Sequence, residues 1–297
     1  MYTRPTYSIK ILLRHVTRPL VLIILYSGVV YYTYAHLDVE EIDIPLSIST
    51  VLGFAVSLLL GFRTSAAYDR WWEARKIWGA IVNDSRSFAR QIITYAKGDK
   101  EEIQRLSKLV IAWCYALKNG LRGLDPMPEI VPYLHEEDLR ALKNHQNKHN
   151  GLLLIMEQRL AILRKNETID TFQWMSMDEL MRRFSDSMGK CERIKNTVFP
   201  VQYRVFTHTG IFIYMVMLPF GMLKSTGPFV IPITATVMFF FRFLELIAHY
   251  LQNPFRNKES DTPMSSLCRT IEINILQMLG EDDVPEALKP DDKGVLM

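Results

Sequence analysis

His145 and His149 stand four residues apart in KNHQNKHN, so on one continuous helix they would share a face and could bind a metal ion. Only Lys, Asn and Gln lie beside them, and Asp138 is the nearest upstream carboxylate that such a helix would bring round. Two ligands and a distant third do not complete a coordination sphere, and the segment reads as a solvated polar stretch. Arg242, Glu245 and His249 share a helix face at i, i+3 and i+7. Beside a membrane such a group is a functional candidate; internal charge compensation where a span leaves the bilayer accounts for it equally well. His36, His208 and His249 stand at the ends of apolar runs with no second histidine near any of them, and read as interfacial or helix-packing residues. Cys114, Cys191 and Cys268 are odd in number and widely scattered, which fits neither a disulfide framework nor a metal knuckle. No nucleophile–base pair or metal constellation emerges. The expectation is therefore a protein that is not an enzyme and needs no metal and no cofactor.

The elements around these residues explain more than the residues do. Charges are absent from some windows and crowded in others. PLVLIILYSGVVYYTYA (19–35) and IPLSISTVLGFAVSLLLGF (44–62) each approach the roughly 20 apolar residues that cross a bilayer as helix. TGIFIYMVMLPFGML (209–223) and FVIPITATVMFFF (229–241) form a second pair. Pro219 is expected to kink the first of these, and KSTGP to make a tight connection between them. Four spans follow. Arg4, Lys10, Arg14 and Arg18 precede the first, while Arg63, Arg70, Arg256 and Lys258 follow the second and fourth. HLDVEEID, between spans one and two, has no Lys or Arg. The positive-inside bias puts both termini and the middle of the chain in the cytoplasm of a multi-pass inner (plasma) membrane protein. The N-terminus reads as a retained span rather than a cleaved signal peptide, since its apolar core is long and no small-residue cleavage site follows. On that side of the membrane the sequon at Asn166 carries no meaning.

Between the two hairpins, large apolar residues recur at helical spacing: Trp71, Trp72, Trp78, Ile81, Val82, Phe88, Ile92 and Tyr95, then Ile103 to Leu117, then Leu152 to Leu163. No strand-like alternation appears, so the chain reads as all-α. The expected divisions are 1–18, an N-terminal cytosolic segment; 19–62, the first transmembrane hairpin, including helix 44–62; 63–205, a large cytosolic helical bundle; 206–250, the second hairpin; and 251–297, a cytosolic C-terminal helix and tail.

Four ordered stretches carry a family likeness. FRTSAAYDRWWEARKIWG (62–79), with Arg70, Trp71, Trp72 and Glu73 at its centre, resembles the bestrophin ion channels, especially their prokaryotic branch. CERIKNTVFPVQYRVFTH (191–208) is similar to the segment entering that family's third span. Asn253, Pro254 and Phe255 resemble the turn after the fourth, and LCRTIEINILQML (267–279) the C-terminal helix. The resemblance implies a homopentamer around one central pore, with the second span lining it. Aligning this chain's RWW on the family motif puts the narrow neck at Phe54, Leu58 and Phe62, whose i, i+4, i+8 spacing shares one helix face. Without that register the three would read equally as lipid-facing or core residues. A second constriction is expected at the cytosolic end, where Phe172 is assigned. The tryptophans are read as structural, packing the helix against its bundle and the neighbouring subunit.

Calcium-gated animal members carry an acidic run after the Asn-Pro-Phe turn. Here Arg256, Asn257 and Lys258 stand instead, with Glu259 and Asp261 displaced, so no calcium site carries over. The implied partners are monovalent ions, the lipid bilayer and further copies of the chain, with no nucleic acid. The family at large is described as anion or chloride channels, while bacterial relatives are also described as passing monovalent cations. A non-conducting membrane scaffold is the rival reading.

Overall fold

The computed structural model describes residues 9–36, 44–96, 98–197, 200–291 and 294–296, with side chains from Val16 onward. Arg4 and most of the Lys- and Arg-free loop, on which the expected orientation rests, lie outside the described residues. No strand occurs among those described. The helices are α1 (Ile9–His36), α2 (Leu46–Tyr95), α3 (Lys100–Arg122), α4 (Met127–Ile130), α5 (Glu136–Leu142), α6 (Lys148–Lys165), α7 (Thr171–Asn196), α8 (Val201–Thr226), α9 (Val230–Leu251) and α10 (Met264–Leu279).

The chain divides into two compact units. One holds residues 9–70 and 200–252, and within it α1 packs on α8 and α9. Three helical segments of this chain are long and apolar enough to cross a membrane: Val16–His36, Leu46–Tyr95 and Val201–Leu251. The last is interrupted by a single tight turn, Gly227–Phe229, where Gly227 sits at φ 53° and ψ −131°, a conformation that a side chain would strain. The connection therefore falls later than KSTGP: Lys224, Ser225 and Thr226 still belong to α8. Pro219 lies inside α8, and the helix continues across it. Membrane helices tolerate such a residue because neighbouring groups satisfy the freed carbonyl. Hydroxyls on these helices are satisfied internally. Ser27, Ser57 and Thr64 donate to the carbonyls of Ile23, Gly53 and Leu60 at 2.7–2.8 Å. The faces they occupy can therefore meet an apolar environment.

The other unit holds 71–197 and 253–296, a helical bundle with α3 at its centre, packed on α6, α7 and α10. Local chemistry sets its helix ends. Asp99 caps α3 through the Glu102 amide, Glu101 and Glu102 follow in the first turn, and Gly123 closes it at φ 72°. Asp170 and Gln173 form a capping box on α7. Trp78, Ile81, Phe88 and Ile92 of α2 enter the core with Trp113 and Phe184, whose rings lie 4.8 Å apart.

Candidate functional site

Helix α2 begins in the first unit, and there its two faces differ. Gly53, Val56, Leu60 and Arg63 are buried, at the three- and four-residue spacing of a packed helix face. Val56 and Leu60 meet Ile211, Tyr214, Met215 and Leu218 of α8. Gly53 is required there, because an added Cβ would lie 2.9 Å from the Tyr214 ring. The opposite face carries Phe54, Leu58 and Phe62, which are 70%, 49% and 62% exposed within the protomer. These three ring- and branch-bearing side chains stand one helical turn apart, and none belongs to the buried core of the described residues. Leu59, one residue along, is half-buried, and its carbonyl accepts the Tyr203 hydroxyl at 2.9 Å.

Immediately beyond Phe62 the same helix enters a buried charge cluster. Glu245 of α9 is its hub: His208 Nε2 lies 2.6 Å away, Arg63 Nη1 3.6 Å, and Arg242 Nη1 also pairs with it. Arg63 and Glu245 are nearly inaccessible to solvent. The Arg242–Glu245–His249 face read from the sequence thus exists, but it was only part of the group. The sequence alone makes Arg63 the end of an apolar run and His208 an interfacial or helix-packing residue. Both are partners of Glu245, and no spacing within one helix could have joined α2, α8 and α9.

In the second unit Phe172, the second residue of α7, is 83% exposed. The RWW motif splits. Trp71 Nε1 donates to the Ser260 carbonyl at 2.9 Å, Glu73 pairs with Lys76, Arg70 is half-buried, and Trp72 is 46% exposed and stacked on Trp71. Trp72 is thus covered only in part by its own chain, unlike the fully buried Trp78. The Asn253-Pro254-Phe255 turn is fastened by Phe255, fully buried, by Asn253 Oδ1 accepting from the Phe255 amide at 3.4 Å, and by the Thr262 amide on the Pro254 carbonyl at 3.1 Å. Asp261 is buried, and its Oδ2 accepts the Lys258 amide at 3.0 Å. The carboxylate is committed to the turn, and burial raises its pKa from the ordinary aspartate value.

His145 and His149 do not share a helix: α6 starts at Lys148 behind its cap Asn147. Contrary to the solvated reading, His149 is largely buried and its Nε2 lies 2.8 Å from Glu192. Asp138 is held by Arg105 at 2.7 Å. Among the described residues no group of three or more His, Cys, Asp or Glu could hold a metal ion. Burial pushes the Cys114 and Cys191 thiols up to about 12. Glu272 of α10, buried, accepts the Tyr115 hydroxyl at 2.7 Å and the Tyr133 hydroxyl at 2.5 Å, with Arg269 3.2 Å away. Burial and these bonds hold both phenols well above their ordinary range.

Residues 8–277 match the family described as Bacterial/Fungal Bestrophin protein. The chain is 32% identical over 258 residues to the voltage-dependent anion channel-forming protein YneE of Escherichia coli K12, covering 87% of this chain and 84% of that one. It is 28% identical over 249 residues to the voltage-dependent anion channel-forming protein RSc3414 of Ralstonia nicotianae, covering 82% and 81%. Its fold superimposes on a bacterial bestrophin homologue from Klebsiella pneumoniae with a TM-score of 0.84 at 26% identity, covering 89% of this chain and 98% of the other.

Proposed function

This chain belongs to the bacterial/fungal bestrophin family, and from that membership we propose that it forms a passive channel for small monovalent anions, chloride among them. In this reading five copies close around one axis, four helices of each copy cross the inner membrane, and both termini face the cytoplasm. Phe54, Leu58 and Phe62 face the axis as three stacked apolar rings. Phe172 forms a second constriction in the cytosolic vestibule, and Arg70, Trp71, Trp72 and Glu73 carry the pore helix from one region into the other.

The observation that carries the reading is the exposed Phe54–Leu58–Phe62 face, opposite a packed one, on a helix of a chain whose relatives are named anion channel-forming proteins. An apolar tube has no formal charge with which to select. It controls passage by dewetting and by the positive edges of its rings, which favour anions. The test is the reversal potential of the purified full chain in a planar bilayer under a potassium chloride gradient. A shift towards the chloride equilibrium potential is expected. A shift towards potassium would replace the anion reading with a monovalent cation channel, and absence of current would leave a non-conducting scaffold.

A further inference from the structure

The charge cluster beside the neck surrounds a cavity of about 280 Å³, lined by Val16, Arg63, Arg204, His208, Arg242 and Glu245, with Leu246 and His249 completing the wall. Three guanidiniums face one carboxylate, so with neutral histidines the lining carries an excess of two positive charges. Glu245 is already shared among Arg63, Arg242 and His208. Arg63 is buried, yet its Nη1 reaches Glu245 only at 3.6 Å, longer than a hydrogen bond, and its Nε meets no acceptor among the described residues. Arg204 is exposed at the rim, and its side chain makes no hydrogen bond or ion pair with any described residue. Buried guanidinium donors left unbonded are costly, and the cavity is wide enough for an acceptor.

We propose that this cavity binds a phosphate oxyanion, held by Arg63 and Arg204 with Arg242 at its side. Arginine forks match phosphate geometry, and the charge surplus is of the right sign. The location fits the same ligand. Arg63 ends the apolar run of α2, Arg204 and His208 precede that of α8, and Arg242 follows that of α9. The cavity thus sits at the common polar end of three apolar runs, the level at which basic pockets between membrane helices take anionic headgroups. The phosphate can come from an anionic phospholipid or from solution.

Both sources are tested on the full chain in neutral detergent. Native mass spectrometry compares dioleoyl phosphatidylglycerol with dioleoyl phosphatidylcholine, and a thermal shift compares inorganic phosphate with chloride at equal ionic strength. Arg63→Gln risks the fold, since it leaves Glu245 short of a buried partner. Arg204→Gln touches no existing bond and is the informative variant, with Lys224→Gln at the far end of α8 as control. If the lipid is the source, phosphatidylglycerol outbinds phosphatidylcholine and Arg204→Gln weakens it about tenfold, the loss expected for one charge-assisted hydrogen bond. If free phosphate is the source, only the inorganic anion raises the melting temperature, and Arg204→Gln abolishes that rise. Equal behaviour of both lipids with no phosphate effect, or equal losses in Arg204→Gln and Lys224→Gln, would overturn the proposal. None of these readouts requires conduction, so failure of the channel reading leaves this result interpretable.

Discussion

At the scale of single residues, Phe54, Leu58 and Phe62 present the sharpest contrast with their neighbours. An ion entering a narrow apolar tube sheds hydration without gaining a charge partner, so truncating the tube's lining lowers the barrier. Leu58→Ala should raise ion flux in proteoliposomes, and the triple alanine variant should raise it further, with selectivity changing less than conductance. Alanine is a strong helix former, so α2 should survive the change. Leu59→Ala is the control: it lies about 100° round the helix and half-buried. Flux that rises in Leu59→Ala but not in Leu58→Ala would mean the register is wrong. The residues after the Asn-Pro-Phe turn permit a second prediction. Asp261 is buried and spent on the Lys258 amide, so it cannot offer calcium the several free oxygens that ion needs. Currents measured in micromolar calcium and in a chelator should coincide; a clear calcium requirement would show that other oxygens make the clasp.

At the scale of elements, Glu272 ties α10 to α3 and to the turn at Tyr133 through two phenol hydroxyls. Glu272→Ala would leave the buried Tyr115 hydroxyl and the half-buried Tyr133 hydroxyl without this acceptor and Arg269 without this partner, a cost of about 3 kcal/mol. The melting temperature should fall by roughly 5–10 °C. Glu272→Gln keeps one acceptor and should cost about half as much, and equal losses in the two variants would argue that packing rather than hydrogen bonding holds α10. Much at this scale was legible in the sequence. Apolar runs bounded by Asp43 and Arg63 located the spans, and the spacing of Trp78, Ile81, Phe88 and Ile92 located a core face. Three things were hidden for physical reasons. A change of composition at Arg63 marks a change of solvent, not a helix end, so the 50-residue length of α2 is not written in hydropathy. His145 and His149 suggested one helix, but the Asn147 side chain caps the backbone between them and starts a new one. The partners of Glu245 lie on three helices, and pairing across helices has no period along one chain.

At the scale of the whole molecule, several large apolar side chains stand well exposed among the described residues. Phe54, Leu58 and Phe62 on α2, Trp72 beyond them and Phe172 on α7 are 46–83% exposed, while Leu60, Trp78 and Met177 on the same helices are buried. Lipid can cover some of the α2 face, but Trp72 and Phe172 follow the polar sequence that begins at Arg63. A head-to-tail interface that closes on itself covers such surface equally in every copy and leaves an axis along which a pore can run. A closed ring of five is the arrangement the family resemblance implies. Mass photometry or multi-angle scattering of the full chain in detergent should therefore give five times the protomer mass once bound detergent is subtracted. Trp72→Ala removes a ring that is 46% exposed in the protomer, so it should leave the helical content unchanged and shift the mass distribution towards smaller species. A stable monomer or dimer in the unsubstituted chain would refute the ring, and with it the assignment of Phe54, Leu58 and Phe62 to a shared pore. A pentamer that Trp72→Ala leaves intact would place the subunit contact elsewhere on the bundle.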